Sequence, residues 1–196
     1  MVHWYTGTRS RMNEILLAMV FLAGVPATRN AHFVAYRAAN EGSFFVEFPV
    51  EKVFPLYGPA EEARWAPGWE PHWLFPEKST AQSHAPEAGW VFETEPNTSQ
   101  KRLWYVVKVD LAQHEITYLV YLPDKMIYRI RVIAAPSENL ESKEKGTLTS
   151  VTYQFVGLSD QGNAEIKKRT DFPEEYAAEM REWATQIDGY LRKTNK

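Results

Sequence analysis

The sequence predicts an α+β domain in which a curved antiparallel β-sheet wraps around one long C-terminal α-helix. Three observations carry this reading. Strand-like runs follow one another with only short connections through residues 90–156, which favours an antiparallel meander over a βαβ arrangement. The period then changes. Tyr176, Met180, Trp183, Ile187, Tyr190 and Leu191 recur at three- and four-residue spacing and make one apolar helical stripe. Ahead of the meander, residues 44–71 hold a short strand cut off into two short helices and a Trp-rich loop.

The N-terminal segment comes first. Residues 15–27, ILLAMVFLAGVPA, form an uncharged apolar run after Arg9 and Arg11 and end in the small-residue pattern Val25-Pro26-Ala27. This is the layout of a secretory signal. It is too short to span a bilayer comfortably, so no integral membrane span is expected in the mature chain. A working signal predicts a periplasmic or secreted protein. The competing reading is an N-terminal extension with Met12 as the start, weakened as a signal by Glu14, and it predicts a cytoplasmic one. Residues 28–43 show no clear period and read as a spacer, leaving residues 44–193 as a single domain.

Within that domain, Pro49 ends the strand at 44–48, a helical turn is expected at 53–57, and Gly58-Pro59 interrupts it. A second short helix at 61–66 runs into Trp65-Ala66-Pro67-Gly68-Trp69. Residues 76–89 are polar and read as a loop or an edge strand with a loop. Strands are expected at 90–95, 102–110, 115–122, 125–133 and 147–156. Alternation puts Met126, Tyr128, Ile130 and Val132 on one face and Arg129 and Arg131 on the other, the pattern of a sheet with one packed and one wet face. Val151, Tyr153 and Phe155 also share a face. Asp171 can cap the last helix, and Pro173 suits its first turn. Residues 163–168 read as a helical turn or a loop. A sheet gripping one helix, with short helices roofing the far end, is the helix-grip arrangement, and it encloses an apolar cavity.

The same residues carry a resemblance to the SRPBCC, or START-like, superfamily of polyketide cyclase/dehydrase and lipid-transport proteins. They are Glu47-Phe48-Pro49 with Val53-Phe54, Glu62-Ala63-Arg64-Trp65 with Pro67-Gly68-Trp69, and Gly89 with Phe92 and Thr94. Trp104, residues 114–118, Thr152-Tyr153, Leu158 and Gly162-Asn163 extend it, so that it covers roughly residues 44–191. The resemblance implies a deep, mostly hydrophobic pocket between sheet and C-terminal helix. Members bind lipids, sterols, polyketides or other apolar molecules, and some catalyse cyclisation or dehydration there.

Composition narrows the function classes. A formal charge of −3 and a pI near 6.0 disfavour nucleic acid or another polyanion as partner. The chain has no cysteine, which excludes thiolate chemistry and disulfides and leaves the compartment open. The histidines at 3, 32, 72, 84 and 114 lack metal-ligand spacing, so no metal and no cofactor is expected. His114 falls at the hairpin turn expected between the strands at 102–110 and 115–122. Seven Trp, ten Tyr and ten Phe supply the large rings that line ligand pockets.

The candidate ligand-binding residues follow from this plan. Trp65, Trp69 and Trp73 either form a pocket mouth or seal one end of the core. Trp90, Phe92, Tyr105, Tyr118, Tyr128 and Tyr153 lie on strands whose inward faces line the cavity, though a one-residue slip reverses each facing. Met180, Trp183 and Ile187 form the opposite wall. Glu93, Asp110 and Arg129 are expected on the wet face, leaving no acid–base pair for catalysis. Three functions stay open: binding or transport of a small hydrophobic, lipid-like or aromatic ligand; a cyclase or dehydratase in the same cavity; and a protein-interaction module using the Trp-rich loop.

Overall fold

The computed structural model describes residues 33–94, 101–139, 143–171 and 173–194. The export-signal segment at 1–27 lies outside these residues.

Strand β1 spans Arg37–Val46. It begins well before residue 44, so residues 37–43, expected as spacer, belong to the sheet. Polar Asn40, Glu41 and Ser43 hid this strand from pattern reading, because the strand is an edge and half of it faces water. Pro49 then ends β1 and precedes helix α1 (Val50–Val53), a 3₁₀ turn (Phe54–Tyr57) and helix α2 (Pro59–Glu62). Strand β2 (His72–Phe75) is a short edge strand that pattern reading did not pick out, and helix α3 (Lys78–Ser83) occupies the polar stretch after it.

The meander follows as β3 (Val91–Thr94), β4 (Arg102–Asp110), β5 (Glu115–Leu122), β6 (Met126–Glu138) and β7 (Lys145–Gly157). His114 has φ 48°, the turn conformation expected of it, and its ring packs edge-on to Phe54. Helix α4 (Asp160–Thr170) replaces the expected turn at 163–168; Asp171 closes this helix, and Pro173 opens α5 (Pro173–Thr194).

All seven strands pair antiparallel in the order β1-β7-β6-β5-β4-β3-β2. The first two strands in sequence are thus the two edges of the sheet, and the segment between them crosses the whole opening. Met126, Tyr128, Ile130 and Val132 are buried while Arg129 and Arg131 are exposed, as the alternation predicts. Helix α5 buries Tyr176, Met180, Ile187 and Leu191 in the grip of the sheet. Its approach to β1 depends on Gly42, where a Cβ would stand 2.9 Å from the Tyr176 ring and 3.0 Å from Met180 Cγ. At the other end of the sheet–helix interface, Asn163 of α4 accepts from the Tyr36 amide at 2.8 Å and donates to the Val34 carbonyl at 2.9 Å. No helix among the described residues is long and apolar enough to cross a membrane.

Candidate functional site

The roof of the sheet is held by its own indoles. Trp65 Nε1 donates to the Leu56 carbonyl at 2.7 Å, and Trp69 Nε1 donates to the Pro59 carbonyl at 2.8 Å. Each ring therefore folds back beneath the helix that precedes it instead of pointing outward. Trp65 meets Trp183 of α5 edge-on at 5.7 Å, and Trp69 meets Trp104 of β4 edge-on at 5.0 Å. Trp104 in turn donates to Thr94 Oγ1 at 2.9 Å. From the middle of the sheet the Tyr118 hydroxyl donates to the Tyr57 carbonyl, and the Tyr57 hydroxyl pairs with Thr149 Oγ1 at 2.7 Å.

Between roof, sheet and α5 lies a cavity of about 390 Å³. The roof contributes Tyr57, Glu62, Ala66 and the loop through Trp69. The sheet contributes Trp104, Tyr118, Tyr128, Ile130, Val132 and Tyr153, with Thr94 and Arg102 at one side. Helix α5 contributes Glu179, Glu182, Trp183 and Gln186, and α4 contributes Arg169. Pro67, Gly68, Arg169 and Glu182 are solvent-exposed and mark its mouth.

Of the twelve candidate residues, Trp69, Tyr118, Tyr128, Tyr153 and Trp183 line this cavity. The other seven do not. Trp65 is buried under the roof. Trp73 stands on edge strand β2, edge-on to Trp90 at 5.6 Å. Trp90 and Phe92 are core, and Phe92 stacks at 5.7 Å against Trp104, whose own ring lines the cavity. Tyr105 lies between inward-facing Trp104 and Val106, so strand alternation turns it to the outer face. Met180 and Ile187 are buried on the packed side of α5.

The charged part of the wall was missed by sequence reading. Glu179, Trp183 and Gln186 sit at i, i+4 and i+7, a second helical stripe beside the apolar one. That spacing was a readable signal. Glu62, at the end of a four-residue helix, offered none. Its part-buried side chain lines the cavity, and desolvation pushes the carboxyl pKa up to about 8. Glu179 is also raised by burial, offset by Arg169 and by a hydrogen bond from Tyr153. Burial holds the Tyr118 and Tyr153 hydroxyls well above the ordinary tyrosine value, so both stay protonated. Arg102 Nε is buried without a hydrogen-bond partner among the described residues. Glu93 and Asp110 lie outside the cavity, beside Lys101 and Lys108 at 3.1 and 3.6 Å, and Arg129 is exposed. Among the described residues no group of three or more His, Asp or Glu could hold a metal ion.

Solved structures share this architecture. Norcoclaurine synthase from Thalictrum flavum, in complex with dopamine and hydroxybenzaldehyde, superposes with a TM-score of 0.55 at 9% identity, over 98% of each chain. Ara h 8.0201 superposes with a TM-score of 0.53 at 12% identity, over 81% of this chain and 99% of its own. The fold is the START-like, helix-grip fold. A Rhizobium leguminosarum protein has the same fold, with a TM-score of 0.50 at 12% identity over 82% and 97% of the two chains. No protein-family profile and no curated relative matches the sequence. At such identities the START-like likeness concerns the path of the chain, and the side chains of the cavity are this protein's own.

Proposed function

We propose that the protein binds a small, mostly apolar ligand, aromatic or lipid-like, in the cavity between roof, sheet and α5. The observation that carries this is the wall itself, where Trp69, Trp104, Tyr118, Tyr128 and Trp183 surround about 390 Å³ beside Ile130 and Val132. Norcoclaurine synthase, with the same fold, is described in complex with two small aromatic compounds, which supports the size and class of ligand. Burying one ring of about 200 Å² gains about 5 kcal/mol. Association costs a similar amount, so a useful ligand has at least two fused rings or an equivalent chain. Native mass spectrometry of protein from its own host tests this: a bound apolar compound is expected. Ala66→Trp, which plugs the mouth from the roof, should abolish its retention. Retention unchanged by the plug would overturn the assignment to this cavity.

A second reading is favoured by Glu62. A carboxyl poised near neutrality in an enclosed site can give or take a proton, which the cyclase or dehydratase reading requires. Turnover of the recovered compound, lost in Glu62→Gln, would establish it. Docking of a partner through the Trp-rich loop has less support, because Trp65 and Trp69 both turn inward onto the chain's own carbonyls. The leader at residues 15–27 extends the proposal to the periplasm or cell exterior, and N-terminal sequencing of host-derived protein decides it.

A further inference from the structure

The charges around the cavity do not balance locally. Glu182 accepts from Gln186 Nε2 at 2.8 Å on the exposed side of α5. Glu179 is held by the Tyr153 hydroxyl and by the fields of Arg169 and Arg102. Glu62 is different. Among the described residues no hydrogen bond or ion pair reaches its carboxyl, and desolvation alone perturbs it. The nearest hydroxyls are committed elsewhere, Tyr118 to the Tyr57 carbonyl and Tyr57 to Thr149. A carboxyl on the wall of a ring-lined cavity, with no donor from the described residues, is a half-built ion pair. What would complete it is a cation small enough to enter, and the ring faces around it also favour one.

We infer that the ligand of this cavity carries a protonated nitrogen, which seats against Glu62 while its apolar body lies along the ring-lined wall. This rests on the ligand-binding reading above and names the class of ligand. The exchange is balanced: an ammonium ligand enters, the Glu62 carboxyl gives its proton to solvent, and the carboxylate and ammonium form the pair. Binding therefore releases one proton below the carboxyl's free pKa. Affinity rises about ten-fold per pH unit up to about pH 8 and then levels. The other groups facing the site do not imitate this. Tyr118, Tyr128 and Tyr153 are all shifted upward by burial and stay neutral, and Arg102 and Arg169 line the cavity beside them. The competing carboxylates are Glu179, already partly balanced by Arg169, and Glu182 at the mouth.

Calorimetry on the full chain with naphthylethylamine and its neutral isostere naphthylethanol tests the inference, in two buffers of different ionisation heat. The amine should bind about ten-fold or more tighter than the alcohol at pH 8 and release close to one proton at pH 7. Glu62→Gln should remove both the preference and the proton release while leaving the alcohol's affinity within about three-fold. Loss of both in Glu179→Gln rather than in Glu62→Gln would move the seat to Glu179 and overturn the inference. Equal binding of amine and alcohol overturns the inference and leaves the cavity reading intact, as does proton release that survives Glu62→Gln. If neither compound binds, the cavity reading falls and this inference with it. Melting curves show that each variant is folded before titration.

Discussion

The hydroxyl of Tyr118, at the centre of the sheet, donates to the backbone carbonyl of Tyr57, at the centre of the roof. Both groups are buried, so the bond fixes the height of the roof over the sheet. Tyr118→Phe keeps the ring and removes the donor, leaving the Tyr57 carbonyl unpaired. A loss of about 1–3 kcal/mol is expected in urea unfolding. A change within error would mean that water replaces the hydroxyl.

Glu62 makes stability depend on pH in a definite direction. Its folded pKa, about 8, lies above the unfolded value of 4.5, so the folded state binds more protons between these limits. Stability from this group is therefore present at acid pH and lost as pH rises through about 8. Glu62→Gln should leave melting unchanged near pH 4 and stabilise the chain at pH 9, by on the order of 2 kcal/mol. Equal effects at both pH values would show that the carboxyl is solvated.

On the outer face the sign is opposite. Glu115 is buried between Arg131, at 2.9 Å, and Lys108, at 3.1 Å, and the Arg131 guanidinium leads in holding its carboxyl down to about 2. The unfolded chain binds the extra proton here, so this stability is present above pH 4.5 and lost as pH falls toward 2. Glu115→Gln should cost roughly 1–2 kcal/mol at pH 7, given that both cations are partly exposed, and nothing near pH 2. Acid titration of the two proteins side by side provides the comparison.

Helix α4 begins under a steric constraint. A Cβ on Gly162 would fall 1.6 Å from the Lys125 carbonyl oxygen, which already accepts the Leu158 amide at 2.7 Å. Gly162→Ala should cost about 3 kcal/mol or more by displacing α4 from the β5–β6 turn. A smaller loss in thermal unfolding would show that the turn yields.

The sheet was legible because burial writes itself into alternation: β4 and β5 fall on the predicted residues, and β6 shows the predicted inward face. Strand β1 was hidden at its start because Glu41 and Ser43 face water while Asn40, on the inner side, is itself polar, so the residue types do not alternate. Tyr105 and Tyr118 look alike in sequence, and only registry separates an outer ring from a cavity wall. Glu62 was beyond reach for a different reason. Its environment is made by Tyr118 and Tyr153, which are remote in sequence, so no local pattern announces a buried carboxyl.

The position of β1 at the sheet edge has a consequence for how the molecule is made. Among the described residues its only strand partner is β7, with Arg37 opposite Val156 and Val46 opposite Thr147, roughly 100 residues downstream. The meander from β3 to β7 can zip by local turns as it leaves the ribosome, but β1 emerges early and must wait. Helix α5, which gives the cavity Glu179, Trp183 and Gln186, is made later still, so the cavity closes only when synthesis is nearly complete. A ligand able to enter during that interval meets an open trough rather than a closed vessel, so loading during synthesis and loading afterwards are kinetically separate events.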